Sequence, residues 1–75
     1  MNILKIRDLN TASMLKVKGF KLLDIEWLGE RAYWVFENTN NRADELIQSY
    51  INGNIIGNLK KFAEAQKTLR VMLFK

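Results

Sequence analysis

Phe20 to Glu37, FKLLDIEWLGERAYWVFE, constrains the fold more than any other stretch of the chain. Two β-prone, aromatic-rich runs flank Leu28-Gly29, the pattern of a β-hairpin with a two-residue turn. With that turn, Trp27 is expected to face Glu30, Ile25 to face Ala32 and Leu23 to face Trp34. Alternation then places Leu23, Ile25, Trp27, Ala32, Trp34 and Phe36 on one apolar face, the expected core side. The other face carries Asp24, Glu26, Arg31 and Tyr33 near the tip, with Glu26 opposite Arg31 as an expected ion pair. Near the base, that second face holds Phe20, Leu22 and Val35. A slip of one residue would invert this sorting, so the register is well specified.

Helical patterns lie on either side of the hairpin. Asn2 to Ile6 reads as an edge strand, and Asp8 as the cap of a helix with Leu9, Ala12 and Leu15 on one side. Lys16 and Lys18 fall in its last turn, where cations suit the helix dipole, and Gly19 stops it. Asn38 to Asn41 is a polar turn able to cap the next helix, with Asn41 and Asp44 at capping-box spacing. Ala43, Leu46, Ile47, Tyr50 and Ile51 then form an amphipathic stripe that Asn52-Gly53 closes. Ile55 and Ile56 read as a connector tucked inward. Asn58 caps a last helix with an inner stripe of Leu59, Phe62, Ala65, Leu69, Met72 and Leu73. Val71 and Phe74 fall off that stripe, so the final turn is apolar nearly all round and needs cover from another element or a partner.

The expected architecture over residues 1–75 is one α+β domain in the order β-α-β-β-α-α, an antiparallel hairpin-centred sheet packed on helices. Its 75 residues, 48% of them hydrophobic, lie near the size at which one hydrophobic core begins to suffice. The chain has no Cys, so stability must come from packing or from self-association, and a homodimer is one expectation. The absence of Cys also agrees with a cytoplasmic protein. No run approaches the ~20 apolar residues of a membrane span, and MNILKIRDLN lacks the apolar core of a secretory signal.

Charge is segregated along the chain. Residues 1–21 carry five basic residues against Asp8, residues 22–57 two against six acids, and residues 58–75 five against Glu64. If the two ends meet in space they form one basic face able to attract phosphate. In the opposing reading, the two signs merely intersperse over a soluble surface.

The order of these features resembles a family of small domains of unknown function found in prokaryotic and phage genomes. The matching residues are Asp8, Leu9, Ala12 and Leu15, then Lys18-Gly19-Phe20, Val35-Phe36-Glu37, Tyr50-Ile51-Asn52-Gly53 and the end Leu69 to Phe74. Ile6-Arg7 stands where the family has a Thr or Ser cap, and Leu28-Gly29 where it favours Asn-Gly. The resemblance implies a phage or mobile-element setting and no particular activity.

The residue types argue against catalysis. There is no His or Cys, so no metal or cofactor is expected, and acid–base work would fall to carboxylates alone. Asp24 and Glu26 stand two residues apart on one strand face, but Arg31 and Tyr33 opposite them make an ion-pair ladder sufficient explanation. No small-molecule substrate is evident. Trp27, Trp34 and Phe36 suit core better than a base-stacking platform, which leaves Tyr33 as the exposed aromatic. Lys60, Lys67 and Arg70 share one side of the last helix, a row able to track phosphates, and Lys16 and Lys18 join them if the first helix lies beside the last. The leading expectation is a non-enzymatic, nucleic-acid-associated accessory protein using these five cations. The alternative is a self-associating or protein-binding adaptor, such as a phage-encoded inhibitor of a host protein, using Tyr33, Val71 and Phe74.

Overall fold

Leu22–Leu28 (β2) and Arg31–Glu37 (β3) form the hairpin in the computed structural model, which describes residues 2–38 and 41–74. Ile3–Ile6 (β1) pairs with the other side of β3, giving a three-stranded antiparallel sheet in the order β1-β3-β2. Leu9–Val17 (α1), Ala43–Ile51 (α2) and Leu59–Val71 (α3) complete the order β-α-β-β-α-α. The expected α+β class and the edge position of β1 are what the chain adopts.

The hairpin turn differs from the expected one. Leu28 pairs with Arg31, so the turn residues are Gly29 and Glu30 rather than Leu28 and Gly29. Gly29 has φ +65° and Glu30 does not have a positive φ, the sign pattern of a turn with glycine in its first position. Leu28 is thereby spared a left-handed conformation. The register moves by two residues, which preserves the faces near the tip, and Ile25 pairs with Trp34.

Closer to the base an irregularity between Leu22 and Asp24 makes Leu23 an extra residue in β2. Leu22 therefore pairs with Phe36 and packs on the core, while Leu23 is turned out and exposed, the reverse of the expected assignment. Phe20 also joins the core instead of the outer face. The expected Glu26–Arg31 pair does not form. Glu26 lies opposite Tyr33, and its Oε1 meets Lys5 Nζ at 3.0 Å. Because Lys5 lies opposite Val35 on the other side of β3, this ion pair straddles the central strand. Beneath it Val35 is only 7% exposed although no helix belongs to that face.

All three helices pack on the opposite face, over Leu4, Ile6, Leu22, Ile25, Trp34 and Phe36. α1 is the central helix: Ala12, Ser13, Met14 and Leu15 are buried in succession, a full turn enclosed on every side. Ser13 can be there because its hydroxyl donates to Leu9 O at 2.7 Å. Asp8 caps α1 through Thr11 N at 2.8 Å, and Asn58 caps α3 through Lys61 N at 3.0 Å, as expected from their residue types. The α2 cap is different: Asn38 Oδ1 accepts from Ala43 N, and Asn41, with φ +55°, is not the cap. Gly19 and Gly53 end α1 and α2 with the same pair of bonds, Phe20 N to Leu15 O and Gly19 N to Lys16 O in the first, Asn54 N to Ser49 O and Gly53 N to Tyr50 O in the second.

Three apolar residues assigned to the interior are instead at the surface. Ile51 ends α2 beyond the reach of the core, Ile56 is 89% exposed, and Leu59 is 85% exposed at the first position of α3. The inner α3 stripe therefore begins at Phe62, and Ile55 alone of the connector packs inward.

Candidate nucleic-acid interface

α1 packs chiefly against α3, so the two basic ends of the chain meet. Lys16 of α1 and Lys61 of α3 line one shallow groove together with Glu64 and Thr68. The helices run antiparallel there, since Gln66 Nε2 donates to Asn10 Oδ1 at 2.6 Å one end further along. Lys60, Lys67 and Arg70 are exposed on α3. Six basic side chains thus lie on or beside the α1–α3 pair against two acids, Glu64 and the α1 cap Asp8. Lys5–Glu26 is the one ion pair among the described residues, so none of these six cations has a described carboxylate within ion-pair distance. Such a field favours polyanions.

The five cations expected from the sequence are not equivalent. Lys60, Lys67 and Arg70 point to water. Lys16 is half-buried in the last turn of α1, with its charge at the groove. Lys18 is exposed, but its Nζ donates to Ile56 O at 2.7 Å and clips the α2–α3 connector to α1. Lys61, which helical spacing sets apart from the row, is brought in by the neighbouring helix. No signal within α3 alone would have found it.

The expected partner-binding residues divide between two places. Val71 and Phe74 are exposed at the end of α3, Phe74 by 76%. Tyr33, expected to be exposed, is half-buried on the outer sheet face beside the Lys5–Glu26 pair. That face carries Asp24, Glu26 and Glu37 against Lys5 and Arg31, an acidic excess unsuited to phosphate. Its carboxylates are engaged singly, Glu26 by Lys5 and Asp24 by the amide of Ile25. They do not form a catalytic pair. Among the described residues no three acidic side chains converge as a metal site, and no helix is long and apolar enough to cross a membrane.

A second concavity lies at the α2–α3 connector. Met14 and Val17 of α1, Tyr50 of α2, Ile55, and Leu59 and Phe62 of α3 wall a cleft of about 300 Å³, with Lys18, Gly57 and Asn58 also at its lining. Tyr50 and Phe62 read in the sequence as core stripe residues, and both do pack on the core. Their role in lining the cleft depends on the path of the connector between α2 and α3, which periodicity does not reveal.

Fold and surface together define a small α+β domain with a cationic helical side and an acidic open sheet face. The family described as Domain of unknown function (DUF5659) matches residues 1–75, and the chain belongs to that family. No curated protein and no solved structure matches it.

Proposed function

We propose that the protein is a non-enzymatic, nucleic-acid-associated accessory factor acting in the cytoplasm, of the phage or mobile-element type that its sequence motifs resemble. The observation that carries this reading is the meeting of both basic chain ends on the α1–α3 pair, with no carboxylate paired to them among the described residues. Lys60, Lys67 and Arg70 are the primary phosphate contacts, and Lys16 and Lys61 extend them across the groove. Lys18 contributes charge while its ammonium holds Ile56 O.

Salt dependence tests this directly. Contacts to phosphate displace condensed counterions, so log affinity falls with log salt at a slope of about −0.9 per duplex contact. Fluorescence anisotropy of labelled DNA and RNA across a salt series is expected to give at least three such contacts. Lys60→Glu combined with Lys67→Glu should abolish binding and leave the circular dichroism spectrum intact. Failure to bind duplex or single strands at low salt would overturn the reading.

One observation favours a second reading. Phe74 and Val71 expose apolar surface at the end of α3, which suits a protein adaptor or a self-associating subunit. Binding that persists through the salt series would identify hydrophobic docking instead of phosphate contact.

A further inference from the structure

We infer that the cleft at the α2–α3 connector receives one unstacked base of a single-stranded nucleic acid, while the lysines around it hold the flanking phosphates; this rests on the phosphate-binding reading above. The cleft, about 300 Å³, lies at the lower end of the range for small-ligand sites, which suits one planar base. Its walls are apolar and include two aromatic side chains, Tyr50 and Phe62, the surface on which bases stack in single-strand binders.

The surroundings select the occupant. Lys18 lines the α1 side of the cleft, and Lys60 and Lys61 follow directly on its lining residues Asn58 and Leu59 in the first turn of α3. One cation thus stands in the lining of an apolar slot, and two more lie within a helical turn of it. A single strand carries a phosphate on each side of every base, so its alternation of charge and planar ring matches this arrangement. A duplex keeps its bases stacked inside and presents only phosphate. The connector backbone between residues 54 and 58, outside any helix or strand, borders the slot and offers peptide groups to the edge of a base. Leu59, exposed at the rim, is placed to cover the ring once it enters.

Gly57 provides a way to close the cleft without disturbing the fold. It lines the cleft, its φ is not in the left-handed region, and a Cβ added there would meet no atom within 4 Å. Gly57→Leu should therefore add bulk to the lining of the slot while leaving every lysine in place.

The test compares a short oligothymidylate, the same strand with its central bases replaced by abasic sites, and a duplex of equal length, all at low salt. The wild type should bind the intact strand about tenfold more tightly than either control, a difference of about 1.4 kcal/mol. Gly57→Leu, checked for native stability by thermal melting, should lose that preference and bind all three alike. Abasic and intact strands binding equally to the wild type would overturn the inference while leaving the phosphate reading intact. Displacement of the intact strand by an acidic peptide bearing one Trp, but not by the same peptide bearing Ala, would assign the cleft to a protein partner and also overturn it. Absence of binding to all three oligonucleotides would remove both readings together.

Discussion

The indole Nε1 of Trp34 donates to the carbonyl oxygen of Leu69 at 3.2 Å, in a buried setting that ties the central strand to the last turns of α3. The final carbonyls of any helix lack an intrahelical donor. Here the amide of Leu73 turns to Arg70 instead of continuing the α-helical ladder, and the ring of Trp34 supplies a hydrogen bond to Leu69. One side chain thus fills the core and helps to terminate a helix. It also fixes how the basic helix lies on the domain, because α3 is held by this contact at one end and by its packing on α1 along its length.

Trp34 should accordingly be the most sensitive position of the sheet. Trp34→Ala is expected to cost about 3 to 5 kcal/mol. Trp34→Phe keeps a ring but leaves the Leu69 carbonyl without its donor, a loss of about 1 to 3 kcal/mol. Tyr33→Ala, on the outer face, should cost clearly less than Trp34→Ala. Urea titrations of the three variants check the order, and equal losses at Tyr33 and Trp34 would contradict the face assignment.

Two glycines should respond in opposite ways to the same substitution. Gly19, at φ +91°, forms the stop of α1, so Gly19→Ala forces a left-handed L-residue and should destabilise by about 1 to 2 kcal/mol. Gly57 has open space at its Cβ position and no positive φ. Gly57→Ala is expected to stabilise by about 0.4 to 1 kcal/mol, by restricting the unfolded chain. Thermal melts that move in the same direction would refute the contrast.

Legibility in the sequence follows the range of the interactions involved. Helix caps at Asp8 and Asn58, stops at Gly19 and Gly53, and the face parity of the hairpin tip are local, and all were readable. Sequence pattern alone misplaces the turn by one residue, because a two-residue loop accommodates Gly29 in either position and the pairing of Leu28 with Arg31 puts it in the first. The Leu23 bulge was not readable, because what it achieves is the placement of Leu22 and Phe20 against helices distant in sequence. Enclosure of Ser13 was hidden for a similar reason: its polarity is cancelled by a bond to Leu9 that composition does not show. Within the candidate site, the Lys60–Lys67–Arg70 row came from helical spacing. Its union with Lys16 and Lys61 required knowing that α1 lies beside α3, and the cleft required knowing that Leu59 is not core.

The Lys5–Glu26 pair offers a test of how the open sheet face is maintained. Both side chains are partly exposed, 43% and 38%, so the pair itself should contribute only about 0.2 to 1 kcal/mol. Glu26→Gln is expected to lose no more than this, with the difference from wild type shrinking as salt screens the charges. Lys5→Ala should cost more than Glu26→Gln, because it also strips the methylenes lying beside Val35. A double-mutant cycle measured at low and high salt separates the charge contribution from the packing one.

Phe74 gives the sharpest separation between core and interface at the end of α3. Sequence patterning alone allows it to be either, but its 76% exposure removes it from the monomer core. Phe74→Ser should therefore leave the stability of the dilute protein within about 0.5 kcal/mol of wild type, as for surface positions without special partners. Its effect should fall on association: an isologous contact through Phe74 and Val71 would raise the scattering mass of the wild type with concentration. Light scattering of wild type and variant across a tenfold dilution reads this out, with the wild type expected to shift and Phe74→Ser to remain at monomer mass throughout. A variant that unfolds at markedly lower urea would return Phe74 to the core, and a wild type that stays monomeric at every concentration would leave its exposed ring to a different partner.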